Sequence, residues 1–431
     1  MAANPLRIAI VGLGTVGSGV VRILQRHAAL IEARAGRPVE IAAVSARSKD
    51  KDRGLDLTRC RWVDDPLLLV HDQSVDAIVE LAGGSEGLPA DLVAASLKAG
   101  KSVITANKAL LARKGYELAV MAEESGAQLL YEAAVAGGIP IIKTLREGLA
   151  ANEIAGLYGI LNGTCNYILT EMRETGRDFA EVLAAAQRLG YAEADPSFDV
   201  DGVDAAHKLC LLSALAFGHR PEFGRLDVTG IRKISARDIA FAEELGFRIK
   251  LLGIAQRVEG RILQRVEPCL VPKDSAIGTV EGVFNAILAE TDFADDSFSV
   301  GRGAGEGPAA SAVVADIVDL ARGQDLPVFG LPAARLEPPP LMDAGNLVSE
   351  YYMRMVVLDR PGVLADISAI LRDRSISVES LLQRGRDPGN PVSIVMTTHP
   401  ARQSDMAAAA GSLAALPSMA EPPCILRIET F

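Results

Sequence analysis

The stretch GYAEADPSFDVDGVDAAHKLC (190–210) concentrates the chain's chemistry-bearing side chains. Five carboxylates, Glu193, Asp195, Asp199, Asp201 and Asp204, fall within twelve residues, and Lys208 follows at the mouth of the apolar run LCLLSALAF. With a helix starting near Gly202, Asp204 and Lys208 stand at i and i+4 and share one face. A lysine at the mouth of a buried helix is partly desolvated, which suits it to proton transfer, and a nearby carboxylate opposes that shift. Two or three carboxylates together suit the capture of a substrate ammonium. Two other readings stay open at this point. An exposed pair of this kind contributes only a few tenths of a kcal/mol on a solvated loop, and a magnesium or calcium site is conceivable, though the spacing is not that of an EF-hand. His207 adjoins Lys208, but helical neighbours point about 100° apart, so it reads as a packing residue. Cys165, in NGTCNY, has no evident base and reads as a small buried residue.

A second constellation lies near the start. Gly12-Leu13-Gly14-Thr15-Val16-Gly17 matches GxGxxG, follows the apolar run LRIAIV and opens a helical pattern. In that context the first glycine makes the tight turn and the second admits a pyrophosphate. The third lets helix and strand close up, and the helix N-terminus favours the anion. The second strand ends at Ser45 and offers no acid for a ribose 2′-hydroxyl before Asp50. Arg47 and Lys49 could instead neutralise a 2′-phosphate, so NADP is favoured and NAD is possible; the alternative is that Arg47 is only a solvated loop charge.

The elements that must position these residues follow from pattern. Short apolar runs at 6–11, 39–45, 76–82 and 102–107 alternate with helical stretches, which predicts βαβ units on a parallel sheet. The helix after the first strand places Val20, Val21, Leu24 and Leu30 on one face. The fold expected is an α/β Rossmann domain over 1–145, with 305–335 returning to it. An α+β substrate and dimerisation domain spans 146–304, and LEPPPLMDAG marks a linker over 336–348. A βαββαβ unit occupies 349–431. At 431 residues, 49% apolar and 23% charged, this is a multidomain globular composition. The net charge of −11 argues against nucleic acid or an anionic membrane as partner. Five scattered cysteines, no signal pattern and no run of about 18 apolar residues point to the cytoplasm.

Together the motifs VGLGTVGSGV, VITANKALLA, EAAVAGGIPII, GILNGTCNYILTEM, GYAEADPSFDVDGVDAAHKL and GAGEGPAASAVVADI resemble homoserine dehydrogenases. The segment YYMRMVVLDRPGVLADISAIL is similar to the start of ACT (ferredoxin-like) domains. The resemblance implies reversible NAD(P)-dependent hydride transfer between L-homoserine and L-aspartate 4-semialdehyde, in threonine, methionine and isoleucine biosynthesis. It implies Lys208 as general acid/base, Asp204 as its orienter or a substrate ligand, and Glu193 and Asp199 as ligands of the substrate ammonium. Lys108 would be the other site lysine, near cofactor and substrate carboxylate, and Gly307 would lie against the cofactor. Glu132 with the carbonyls of Val135, Gly137 and Ile139 would hold a structural sodium or potassium ion. The ACT unit implies an amino-acid effector, L-threonine, near Asp359 and Gly362, and a homodimer or homotetramer; alternatively it serves oligomerisation alone. Cys165, GGSEGLP and GPAA depart from the family's usual residues. Two other functions compete: a different ACT-bearing dehydrogenase, which would need a catalytic histidine with an acid partner, and a non-catalytic nucleotide and amino-acid sensor.

Overall fold

The structure, a computed structural model, describes residues 4–383 and 390–431. Six strands form the first sheet: β1 (Leu6–Val11), β2 (Val39–Ser45), β3 (Arg61–Trp62), β4 (Ala77–Glu80), β5 (Ser102–Thr105) and β6 (Leu129–Leu130). They are parallel throughout, in the order β3-β2-β1-β4-β5-β6. This is the doubly wound arrangement, whose strand order reverses direction between β1 and β4, and ligands bind outside the strand ends at that point. The glycine motif lies there. One expectation fails locally: the first helix ends at Arg26, His27 breaks it, and a new helix runs Ala28–Ala35. The helical phase restarts, so Ile31 and Ala35 are buried while Leu30 is exposed.

The helix Glu306–Arg322 returns to this sheet. Its Ala310, Val313 and Ile317 share a core with Ile8, Ile10, Val20 and Val21, burial that stabilises the return by roughly 1.5–3 kcal/mol per large side chain.

The second sheet is longer. It comprises β7 (Ile154–Ile160), β8 (Asp227–Val228), β9 (Phe247–Val258), β10 (Arg261–Pro272), β11 (Phe284–Thr291) and β12 (Asp296–Arg302). It continues through β13 (Val348–Leu358), β14 (Val378–Gln383), β15 (Pro391–Thr398), β16 (Ala401–Arg402) and β17 (Met419–Ile428). The order is β12-β11-β7-β9-β10-β17-β13-β15-β14, with β8 paired to β10 and β16 to β13. The last four strands of that path, with helices Val363–Asp373 and Gln403–Ala414, form the expected βαββαβ unit around their own core. The unit is joined edge to edge: β17 pairs in parallel with β10 at Cys269↔Arg427 and Leu270↔Ile428. The proline-rich connection is also anchored, since Arg220 N donates to Glu337 O (2.9 Å) and Ile262 N to Pro340 O (2.9 Å). Proline removes donors but leaves carbonyls free to pair, so the segment lies along β10 and does not hang as a tether.

Among the described residues, no helix is long and apolar enough to cross a membrane.

Candidate active site

At the switch point, β1 turns at Gly12, whose φ of +103° only glycine adopts without strain, and a Cβ there would sit 2.5 Å from the Leu81 carbonyl carbon. A Cβ on Gly17 would lie 2.0 Å from Gly12 O, so the helix can approach its strand only with glycine at that place. Gly14 has open space around it, and the helix Thr15–Arg26 it precedes has neither a side-chain cap nor an acid in its first turn. Uncapped N–H groups with open space before them are an anion site. The residues present therefore fit a dinucleotide pyrophosphate.

The apolar helix Val203–Phe217 carries Asp204 and Lys208 on one buried face, 5% and 8% exposed. Lys208 Nζ donates to Asp204 Oδ2 and to Leu161 O, both at 2.7 Å. Lys108 Nζ lies 3.3 Å from Asp204 Oδ1, so one carboxylate serves two ammonium groups. Burial alone would raise the Asp204 carboxyl, but the charges of Lys208 and Lys108 outweigh it and hold the group well below the usual carboxylate range. Asn162 Nδ2 donates to Asp199 Oδ1 (2.7 Å) and Asp204 Oδ2 (2.8 Å), while its Oδ1 caps the helix Gly163–Thr175 at Cys165 N. Asp199 is pushed up, by burial first, and by the adjacent Asp204 charge against the Asn162 bond.

Lys108, Glu193, Asp199, Asp204 and Lys208 line one cavity of about 750 Å³, with Val16 and Ala106 at its dinucleotide end and Gly303–Gly305 on another wall. Glu193 is exposed and Asp199 half-buried. The other two acids of the loop differ in role. Asp195 accepts from Ser197 N (3.1 Å), and Asp201 pairs with Arg232. The Cys165 thiol is fully buried, donates to Asp199 O (3.2 Å), and is pushed up by burial, as befits a packing residue. His207 packs between Phe198 and Phe223.

Most other expected residues lie outside that cavity, although Gly137 borders it. Arg47 and Lys49 are exposed on the loop after β2. Gly307 is exposed in the first turn of Glu306–Arg322, with open space around it. Glu132 is buried, and its carboxylate accepts from Ile142 N (3.0 Å) and Lys143 N (2.9 Å). Burial raises both Glu132 and its neighbour Asp316 to about 7. The loop beyond, with Ala136 and Gly137 both at positive φ, carries the carbonyls of Val135, Gly137 and Ile139, the last already accepting from Ile141 N (2.7 Å). Glu132 and Asp316 offer the oxygen donors that a monovalent cation takes, with Lys143 Nζ already 3.8 Å from Asp316 Oδ1. Gly362, at φ +96°, precedes the helix Val363–Asp373, and Asp359 N bonds Asn390 O (3.0 Å).

Four contributors escaped sequence reasoning. Asn162 has just been described. Asn285 Nδ2 donates to Leu161 O (3.0 Å), the same carbonyl that holds Lys208. Asn107 caps the helix that starts with Lys108 and ties it to Gly84 O (2.7 Å). Arg53 bridges the two phosphate-side loops through Leu13 O (3.1 Å) and Ser48 O (2.7 Å). Among the described residues, no histidine pairs with an acid in the manner of a hydroxy-acid dehydrogenase: His207 has no hydrogen-bond partner there, and His219 meets Ser213 Oγ (2.9 Å) and Arg220 O (2.7 Å).

Comparison with known proteins adds an independent line. Family models match in succession: "Homoserine dehydrogenase, NAD binding domain" at 12–132, "Homoserine dehydrogenase" at 140–318 and "ACT domain" at 351–418. Homoserine dehydrogenases of Neisseria gonorrhoeae and Pseudomonas aeruginosa are each 42% identical, with 99% of both chains covered. The crystal structure of a homoserine dehydrogenase from Thiobacillus denitrificans superposes at TM-score 0.94 with 43% identity, covering 100% of this chain and 99% of that one. A hyperthermophilic archaeal homoserine dehydrogenase in complex with NADPH superposes at 0.62 with 28% identity, over 73% of this chain and 97% of its own. With a dinucleotide turn, a paired-lysine cavity and full-length likeness in agreement, the chain belongs to the homoserine dehydrogenase family, in the form that carries a C-terminal ACT domain.

Proposed function

We propose that this chain performs its family's reaction, NAD(P)-dependent interconversion of L-homoserine and L-aspartate 4-semialdehyde, with Lys208 as the group that moves the proton. The observation that carries the assignment is the hydrogen bonding of its ammonium. Of three N–H donors, one goes to Asp204 and one to Leu161 O. The third is free for the cavity. A bound nicotinamide supplies hydride acceptance or donation at the substrate carbon. As hydride leaves that carbon, the hydroxyl must lose its proton, and Lys208 as a neutral amine accepts it. In the reverse direction the ammonium returns the proton to the developing alkoxide, which it also stabilises. Asp204 holds Lys208 in place, Glu193 and Asp199 bind the substrate ammonium, and Lys108 faces the substrate carboxylate.

The same reading extends outward. The 12–17 turn would bind the pyrophosphate, with Gly307 nearby, and Arg47 with Lys49 would favour NADP over NAD. Glu132 with the 135–139 carbonyls would hold sodium or potassium. The ACT unit, through the turn of Asp359 and Gly362, would take L-threonine as effector in a cytoplasmic homodimer or homotetramer.

The test is steady-state turnover with homoserine and with the semialdehyde, following the reduced nicotinamide by absorbance. Lys208→Ala is expected to bind NADP normally and lose most turnover. Loss of dinucleotide binding in place of turnover would overturn the role of Lys208.

A further inference from the structure

His207 is the odd residue of the site helix. It is 3% exposed, yet neither ring nitrogen has a hydrogen-bond partner among the described residues. Buried polar groups in folded proteins are overwhelmingly paired, so an imidazole without a protein partner calls for another reason for its place. Its ring supplies the reason. Phe223 stacks on it at 4.2 Å between centroids and 23° between planes, and Phe198 lies at 5.6 Å and 35°. Each of those rings meets a cation in turn: Lys108 Nζ is 5.7 Å from the Phe198 centroid, and Arg113 Cζ is 6.0 Å from that of Phe223. The contacts form a continuous column, Lys108–Phe198–His207–Phe223–Arg113, and both end cations belong to the helix Lys108–Ser125.

The two site lysines are held differently. Lys208 has two hydrogen bonds and a side chain 10% exposed, whereas Lys108 has the 3.3 Å ion pair to Asp204 and a side chain 30% exposed. A lysine on a flexible four-carbon stem with one anionic contact samples many positions. The face of an aromatic ring attracts an ammonium and limits that sampling. Phe198 cannot supply this alone, because it is 44% exposed on the short turn Ser197–Val200 and needs something solid behind it.

We propose that the aromatic column through His207 and Phe198 is the device that positions Lys108 in the substrate cavity, with His207 acting as a flat uncharged plate. His207 and Phe198 are positioning residues. The proposal rests on the reading of Lys108 as the group facing the substrate carboxylate. Burial, then the charges of Lys108 and Arg113, push His207 down to about 4, which keeps the plate uncharged throughout the neutral range. A hydrogen-bonding residue at this place would demand partners that the two phenyl faces cannot offer. The column also couples the two halves of the site: its cations sit on the helix Lys108–Ser125, and its rings on the turn Ser197–Val200, the helix Val203–Phe217 and the turn Phe223–Arg225.

The experiment measures kcat, the KM for L-homoserine, the KM for NADP and the thermal midpoint for Phe198→Leu, His207→Ala, His207→Phe and Lys108→Met. Phe198→Leu and His207→Ala are expected to raise the homoserine KM about fivefold, the value of one exposed cation–π contact, and to leave the NADP KM unchanged. His207→Phe, which keeps a flat plate and removes both nitrogens, is expected to restore the wild-type KM. In the double variant Phe198→Leu/Lys108→Met, the homoserine KM should equal that of Lys108→Met alone, because the ring acts only through the lysine. Full additivity in the double variant overturns the proposal. So does a His207→Phe variant as impaired as His207→Ala, which would mean that the nitrogens matter. If Lys108→Met raises the KM and Phe198→Leu does not, the column fails while the reading of Lys108 survives. If Lys108→Met leaves the homoserine KM untouched, the reading of Lys108 itself is refuted and the column falls with it. Should His207→Ala not fold, the exposed Phe198 decides alone.

Discussion

Replacing Asp204 by asparagine tests whether one carboxylate organises the whole site. Asp204 is 5% exposed and touches Lys208 at 2.7 Å, Lys108 at 3.3 Å and the Asn162 amide at 2.8 Å. All three partners are donors. Asparagine keeps the shape but offers one acceptor oxygen, so its own amide must face an ammonium or the Asn162 amide as donor against donor. Removing one member of a buried ion pair costs about 3–5 kcal/mol. Lys108 keeps a side-chain exposure of 30%, and water can restore part of its loss, so about 3 kcal/mol of stability is expected to be lost; kcat is expected to fall about a hundredfold, the lower end of what a positioned proton-transfer group contributes. NADP affinity should not change. The acid limb of stability gives a second readout. Asp204 is held below its ordinary 3.8 in the folded chain, so the folded state binds fewer protons than the unfolded one between the two values. Stability then rises with pH across that window and is lost as pH falls through the folded value. Denaturant melts should therefore show wild type losing stability below about pH 4 and Asp204→Asn responding less. A variant whose kcat stays within about threefold of wild type would refute the assignment of Asp204 as the group that sets Lys208 in place.

Other expectations follow from the same structure. Glu132 is raised from 4.5 to about 7; its folded form holds the proton more tightly, so stability is full below the unfolded value and falls as pH climbs to 7. In Glu132→Gln that slope should diminish, and potassium or sodium should raise the melting temperature above pH 7 in wild type more than in the variant; equal salt effects would count against the cation. Arg47→Ala should raise the NADP KM about tenfold, the worth of one charge-assisted hydrogen bond, with the NAD KM unchanged; equal losses on both would show Arg47 to be a solvated charge. Arg354 bonds Asp238 at 2.6 Å, across from the ACT strand β13 to a residue with no exposure. Arg354→Met removes that carboxylate's charged partner, so melts should show about 3–5 kcal/mol of lost stability, and any inhibition that wild type shows with L-threonine should weaken while turnover is retained. Unchanged inhibition would mean that this contact carries no regulatory signal.

The parts legible in the sequence are those whose partners are near in the chain. The glycine turn could be read because each glycine answers a local steric demand, and Asp204 with Lys208 because four residues make one helical turn. The parts that were not legible depend on distance along the chain. Asn162 joins Asp199 and Asp204 across 37 and 42 positions, and Asn285 reaches Leu161 across 124. Neither asparagine sits in a pattern that composition or periodicity marks. Glu132 shows a different limit, since likeness assigned it a ligand role while its visible contacts cap the turn at Ile142 and Lys143. The proline run at 336–348 was legible as an interruption of regular structure, but its docking was not, because free carbonyls leave no trace in residue type. Leu30 shows that a helical phase cannot be carried past a break that sequence does not announce.

The ACT unit is joined to the catalytic body by ions and sheet, and the join leads toward the substrate loop. Arg427 Nε on β17 bonds Glu267 at 2.7 Å, and Arg265 on β10 pairs with Glu429. Such buried pairs add little net stability compared with apolar packing of the same volume, but they tolerate only one register. Two pairs of ladder residues between β10 and β17 would slip easily without them. Between Arg265 and Glu267 lies Val266, whose carbonyl accepts from Thr229 N (2.7 Å). Two residues on, Ile231 N donates to Val200 O (2.9 Å), the end of the turn that carries Phe198 and Asp199. The strand that fixes the ACT register is thus two hydrogen bonds from the loop that carries Asp199 and the ring over Lys108. Any change in how β17 seats on β10 must be absorbed within that segment or passed to the loop, and Gly230 leaves little room for absorption, since a Cβ there would lie 2.1 Å from Val200 O.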